Sequence, residues 1–429
     1  MNSRQLKLKF VQLATLLWSF PVALPALASN TRALIQEKDL SIQTPLIARS
    51  VLRSGPSKTG APIAILPFEW ISQVETAFSK TPVGNALELE NEKSDWRLAS
   101  ARIVPCSPLG VTPKQNLSDY CWPEIRIVWQ PVLRNFQARG RIYKSYADDR
   151  AIHVLYDVDA MVALNDKSKA DRSSILLSKI KKEAIAQAGN NNFEPLTTEE
   201  FEEFKSLQKH ASAALLNATL ELRSKNIPHS AFRGIGERPE FESSREESEF
   251  INRLNLFLLN YAKPIQAKAL TSFSLPEGRD APLLDEWVFL AFDVKNGLLK
   301  QTPIGLISAT NGKEIFNFGT SPRGSMLRDE PELYTFLDSI LPEALLAKEI
   351  NSSVIVSADT VEKALLIKKI SDRNQILVPN TSCVSCHKMN QERFDFHNLS
   401  FLEDREMTVS PRVVTDVLLD LNWIQNYLD

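Results

Sequence analysis

The sequence predicts an α+β fold with a strand-rich N-terminal part, a helical middle, a short antiparallel meander and a small helical C-terminal segment. Three observations carry this. Apolar residues recurring at every second position over 125–129 and 152–158 have the period of half-buried strands. Across 171–265 the period changes to that of amphipathic helices. Two Asn-Gly pairs then mark tight hairpin turns, where both central residues need positive φ.

The chain is 429 residues long, 43% hydrophobic and 24% charged, which is an ordinary globular balance. Its 50 Lys and Arg against 52 Asp and Glu leave no basic excess. Nucleic-acid binding is therefore not expected. The first 28 residues read as an export signal rather than as part of the fold. Arg4, Lys7 and Lys9 precede the apolar stretch Phe10 to Leu24, and Ala26-Leu27-Ala28 is the small-x-small pattern cleaved by signal peptidase. Cleavage after Ala28 would start the mature chain at Ser29 and leave a net charge of about −5. Pro21 and Pro25 make the segment a poor spanning helix, and no later stretch is apolar for long enough. The mature protein is expected to be periplasmic or extracellular, with no membrane span.

Within 29–170, Ile125, Ile127 and Trp129 alternate with Arg126, Val128 and Gln130, and Ile152, Val154, Tyr156 and Val158 repeat the pattern. Thr197-x-x-Glu200 and Ser244-x-x-Glu247 fit capping boxes. The helices they open carry Phe204, Leu207, Ala211 and Leu215, then Phe250, Ile251, Leu254 and Leu258. Between them 224–244 is polar and contains Pro and Gly, which reads as an exposed loop. Asn296-Gly297 and Asn311-Gly312 define the meander, with helices expected at about 329–350 and 359–371. Ser410-Pro411 supplies an N-cap and a first-turn proline for a last helix. Its apolar stripe runs through Val413, Val417, Leu418, Leu421, Ile424 and Leu428. The chain thus divides into the signal at 1–28, an α+β region of unassigned purpose at 29–350, and a closing segment at 351–429.

Four cysteines make their placement informative. Cys383-Val384-Ser385-Cys386-His387 is the pattern of c-type haem attachment. Two thiols three residues apart can add to the two vinyl groups on one porphyrin edge, and the next imidazole can swing under the iron. At this pentapeptide the chain resembles c-type cytochromes. The resemblance implies one haem c per chain, held by Cys383 and Cys386, with His387 as the proximal ligand. It further implies electron transfer, with a redox partner of basic or neutral surface, because 381–429 holds eight acidic and four basic residues. For the distal position two residues compete. Met407 lies in a loop before the last helix, and His397 lies between Phe394 and Phe396. Met389 is too close to His387 to reach the opposite face.

Other readings of the pair are a short disulfide, half of a zinc site, or no site. A second Cys-x-x-Cys is lacking, as is the βαβ context of a redox pair. Cys106 and Cys121, with 14 residues between them in an exported chain, are expected to form a disulfide worth about 3 kcal/mol. Asp148, Asp149, His153, Asp157 and Asp159 resemble a metal cluster on paper. On a strand His153 and Asp157 stand about 13 Å apart, so a solvated strand face is expected instead. His210 and His229 are given no role. The sequence shows no phosphate loop, nucleotide fingerprint or hydrolase motif, and a non-enzymatic protein is expected. The alternatives are a disulfide-stapled secreted binding protein and a haem sensor or peroxidase-like enzyme.

Overall fold

The computed structural model describes residues 34–45, 65–79, 95–109, 120–138, 141–147, 150–189, 195–274, 287–302, 305–308, 315–317, 325–327, 334–337 and 411–428. Its centre is a nine-stranded antiparallel sheet. The elements in chain order begin with a single helical turn α1 (Glu37–Leu40), β1 (Ser41–Gln43), helix α2 (Phe68–Ser79), β2 (Asp95–Pro108), β3 (Cys121–Ala138), β4 (Arg141–Ala147) and β5 (Ala151–Asp157). Helices α3 (Ala160–Leu164), α4 (Lys167–Gly189), α5 (Thr198–Leu220) and α6 (Ser244–Tyr261) follow. The sheet resumes with β6 (Ala267–Ser274), β7 (Trp287–Lys295) and β8 (Leu298–Thr302). Short strands β9 (Gly305–Ser308), β10 (Ile315–Asn317), β11 (Ser325–Leu327) and β12 (Tyr334–Leu337) precede the last helix, α7 (Pro411–Tyr427).

The spatial order is β1-β2-β3-β5-β6-β7-β11, with β4 also on β3 and β8 also on β7. Strand β3 is long enough to pair twice on one side, with β5 over 124–129 and with β4 over 132–138. Side chains alternate across a strand, so one register row defines a face. The row Ile42, Ala101, Ile127, Val154, Leu270 and Phe292 crosses six strands, all of it buried. The chain leaves the sheet after Asp157 and returns at Ala267, and the intervening helices join that row in one core.

Strands form where alternation predicted them, and β5 keeps the pattern, but β3 is buried on both faces over 121–132, where Arg126 alone is partly exposed. Asn296 and Gly297 take positive φ, at 53° and 76°, and join β7 to β8 in a two-residue turn. Asn311-Gly312 lies outside the described residues, although the flanking β9 and β10 do pair. The expected meander is instead shared between sheets. Strands β7 and β8 extend the large sheet, whereas β10, β9 and β12 form a separate three-stranded one. Helix α5 carries the Thr197–Glu200 capping box, with Thr197 Oγ1 accepting from Glu200 N at 3.2 Å. Ser244 is not a cap but the first helical residue, and Ser243 caps through its carbonyl only.

Other expectations need correction. A helix, α2, lies where strands and loops were expected, and it buries Trp70, Ile71, Val74 and Phe78 at helical spacing. Tyr334–Leu337 is a strand paired with β9 rather than part of a helix over 329–350. The helix expected at 359–371 lies outside the described residues. In α7, Val417 and Ile424 are buried, as is Leu428 just past its end, but Leu418 is exposed and Asp420 is buried. Helix α7 packs on β2 and α1, so the end of the chain is built onto the sheet. Among the described residues no helix is long and apolar enough to cross a membrane.

The segment 224–244 is not an exposed loop. Phe232, Arg238 and Glu240 within it are buried. Arg238 donates to both carboxylate oxygens of Glu240 at 2.7 and 3.0 Å and lies 3.7 Å from Asp39 of α1. Arg223 Nε also donates to Asp39, at 2.8 Å. The Arg238 guanidinium lies over the rings of Phe232 and Phe250, at 4.9 and 4.7 Å. Such a planar cation can be fully buried because aromatic faces cover it and carboxylates accept its hydrogen bonds. Replacing it leaves two buried carboxylates short of a cation. Arg238→Leu should destabilise the fold by about 3–5 kcal/mol in urea unfolding, with Arg238→Lys falling between it and the parent.

Candidate functional site

The sequence places its chemistry at Cys383, Cys386 and His387, with Met407 and His397 as distal candidates. All five lie outside the described residues. What the structure does describe is the other cysteine pair and a charge network on the sheet.

Cys106 and Cys121 form a disulfide between β2 and β3, with Cα atoms 5.0 Å apart. It is buried beneath α5. The Gln208 amide reaches Cys121 Sγ, and Ser212 Oγ donates to Pro105 O at 2.6 Å. Trp122 stacks on Phe204 and donates from Nε1 to Val158 O at 2.8 Å. The expected bridge is therefore part of the packing between sheet and helices. Of the four cysteines it leaves only Cys383 and Cys386.

The acidic residues around His153 divide into separate duties. Asp159 accepts from Met161 N at 2.9 Å and caps α3, while Asp157 pairs with Lys268 at 3.0 Å. Asp148 and Asp149 lie outside the described residues. No group of three potential metal ligands occurs among the described residues. His153 and Asp157 do share the face opposite Ile152 and Val154, as expected. That face, however, is not solvated: Glu124, Val128 and Gln130 on the neighbouring strand are buried. Burial here arises from cross-strand neighbours and from α7, which a single strand's pattern does not reveal.

Glu124 is the centre of this second face, with no solvent exposure. One carboxylate oxygen takes the Arg126 guanidinium and the other contacts Lys268 Nζ. Lys268 also pairs with Asp157. Burial of Glu124 opposes its ionisation, yet Lys268 and Arg126 outweigh it and hold its pKa down to about 2. Burial likewise opposes the charge on Lys268, and Asp157 and Glu124 overcome it and push the pKa upward. Arg126 further feels Asp416 and Asp420 of α7. Asp420 pairs with Arg102, whose guanidinium also donates to Leu40 O and Ile103 O. Charges of both signs therefore run from α7 across β2, β3, β5 and β6, with Lys268 and Arg126 set between the carboxylates.

A β-bulge builds the innermost part. Leu155 pairs with Ala269 but Tyr156 pairs with Ala267, so Lys268 is an extra residue in β6. Regular alternation would send Lys268 to the apolar face beside Leu270. The bulge instead turns it towards Glu124 and Asp157, which are directly opposed in register. The three residues are far apart in sequence, and only the alternation around Glu124 hinted that it shares a face with Arg126. His210 and His229 meet backbone carbonyls only, of Ser206 at 2.7 Å and Leu34 at 2.8 Å.

Comparison of the chain with protein-family models, with curated proteins and with solved structures finds no match.

The depressed pKa of Glu124 makes a stability contribution with a defined sign. Its carboxylate is favoured in the folded state, so the contribution is complete above about pH 4.5, the ordinary value, and is lost as pH falls towards 2. The expected loss over that interval is about 3 kcal/mol. Glu124→Gln should lower stability at pH 7 and flatten the acid limb, as measured by urea unfolding at a series of pH values.

Proposed function

We propose that this chain is an exported protein carrying one covalently attached haem c, with electron transfer as its work. The observation that carries the reading is the pentapeptide Cys383-Val384-Ser385-Cys386-His387 behind an export signal. The donor set suits the group: two thiols form thioether bonds and an imidazole nitrogen binds iron. The disulfide between Cys106 and Cys121 supports the reading twice. It is the kind of bond that persists outside the cytoplasm, where such haem attachment takes place. It also occupies the other two cysteines of the chain, so Cys383 and Cys386 have no other cysteine to pair with but each other.

Bound haem supplies a one-electron couple. His387 would hold the iron as the proximal ligand, and Cys383 and Cys386 would hold the porphyrin. Met407 is assigned to the distal side, ahead of His397. A thioether there raises the potential, whereas a second imidazole lowers it. The acidic balance of 381–429 favours a partner with a basic or neutral docking surface, with encounter slowing as salt rises.

Protein matured together with its haem-attachment machinery should keep its Soret band after denaturation and acid-acetone extraction, with about one haem per chain. Loss of the band into the acetone would remove covalent attachment. Retention of both thiols without pigment would favour the disulfide-stapled binding protein.

Met407→Ala should lower the midpoint potential and abolish the weak near-infrared sulfur–iron band, while His397→Ala leaves both unchanged. The reverse pattern would make His397 the distal ligand. Unchanged spectra in both variants would instead favour the sensor or peroxidase-like reading.

A further inference from the structure

We draw no further inference here: the strongest candidate, the buried cluster of Trp96, Trp129 and Arg150 at one end of the sheet's apolar face, where two indole N–H groups find no acceptor, carries nothing, because nothing in the structure shows the two donors meeting at one point or a ligand they would hold.

Discussion

An eighteen-residue strand at the centre of a sheet must find partners for its backbone on both sides, and β3 meets that demand with three neighbours. Strand β2 runs along one side, and β5 and β4 share the other. Once those ladders are set, alternation leaves no freedom: Ile125, Ile127 and Trp129 go to one face and Glu124, Arg126 and Val128 to the other. The first set demands an apolar cover, which the helices between β5 and β6 provide. The second demands counter-charges. A slip of one residue in β3 would exchange the two sets, so its register fixes both halves of the molecule at once.

The two faces are stabilised by different physics. On the first, apolar rows continue from strand to strand and into α5 and α6, and the Cys106–Cys121 disulfide lies within that packing. On the second, Glu124, Arg126, Lys268 and Asp157 are each tolerated only because the others are present. Buried ion pairs of this kind contribute little net stability relative to apolar residues of the same shape, but removing one member leaves an uncompensated charge. They therefore specify an arrangement more than they strengthen it. Asp39, Arg223, Arg238 and Glu240 act in the same way, tying α1 to the segment before α6.

The final helix connects this architecture to the proposed haem segment. Because Asp420 pairs with Arg102 and α7 lies against β2, the chain is anchored to the sheet again after the Cys-x-x-Cys-His motif. In sequence, the proposed haem-attachment motif therefore lies between two described elements, β12 and α7.

Local patterns determined what depends on near neighbours in the chain. The alternation at 125–129 and 152–158, the Thr197–Glu200 cap, the Asn296-Gly297 turn and the start of α7 were all legible, because each involves residues within one or two turns of one another. The proposed haem motif is likewise a local pattern, since its chemistry needs five consecutive residues. Helix α2 was also written in the spacing of Trp70, Ile71, Val74 and Phe78, though the alternation at 125–129 and 152–158 gave the whole of 29–170 a strand-rich expectation. Tertiary structure alone decided the rest. Polar 224–244 looked solvated because Arg238 and Glu240 are charged, and only contact with Asp39 and two aromatic rings allows their burial. Asp420 broke the apolar stripe of α7 for a partner more than three hundred residues away. The face around Glu124 depended on a bulge in β6, which displaces one lysine by one position in the ladder. Long-range charge pairing has no period, so no local pattern announces it until the strands are in register.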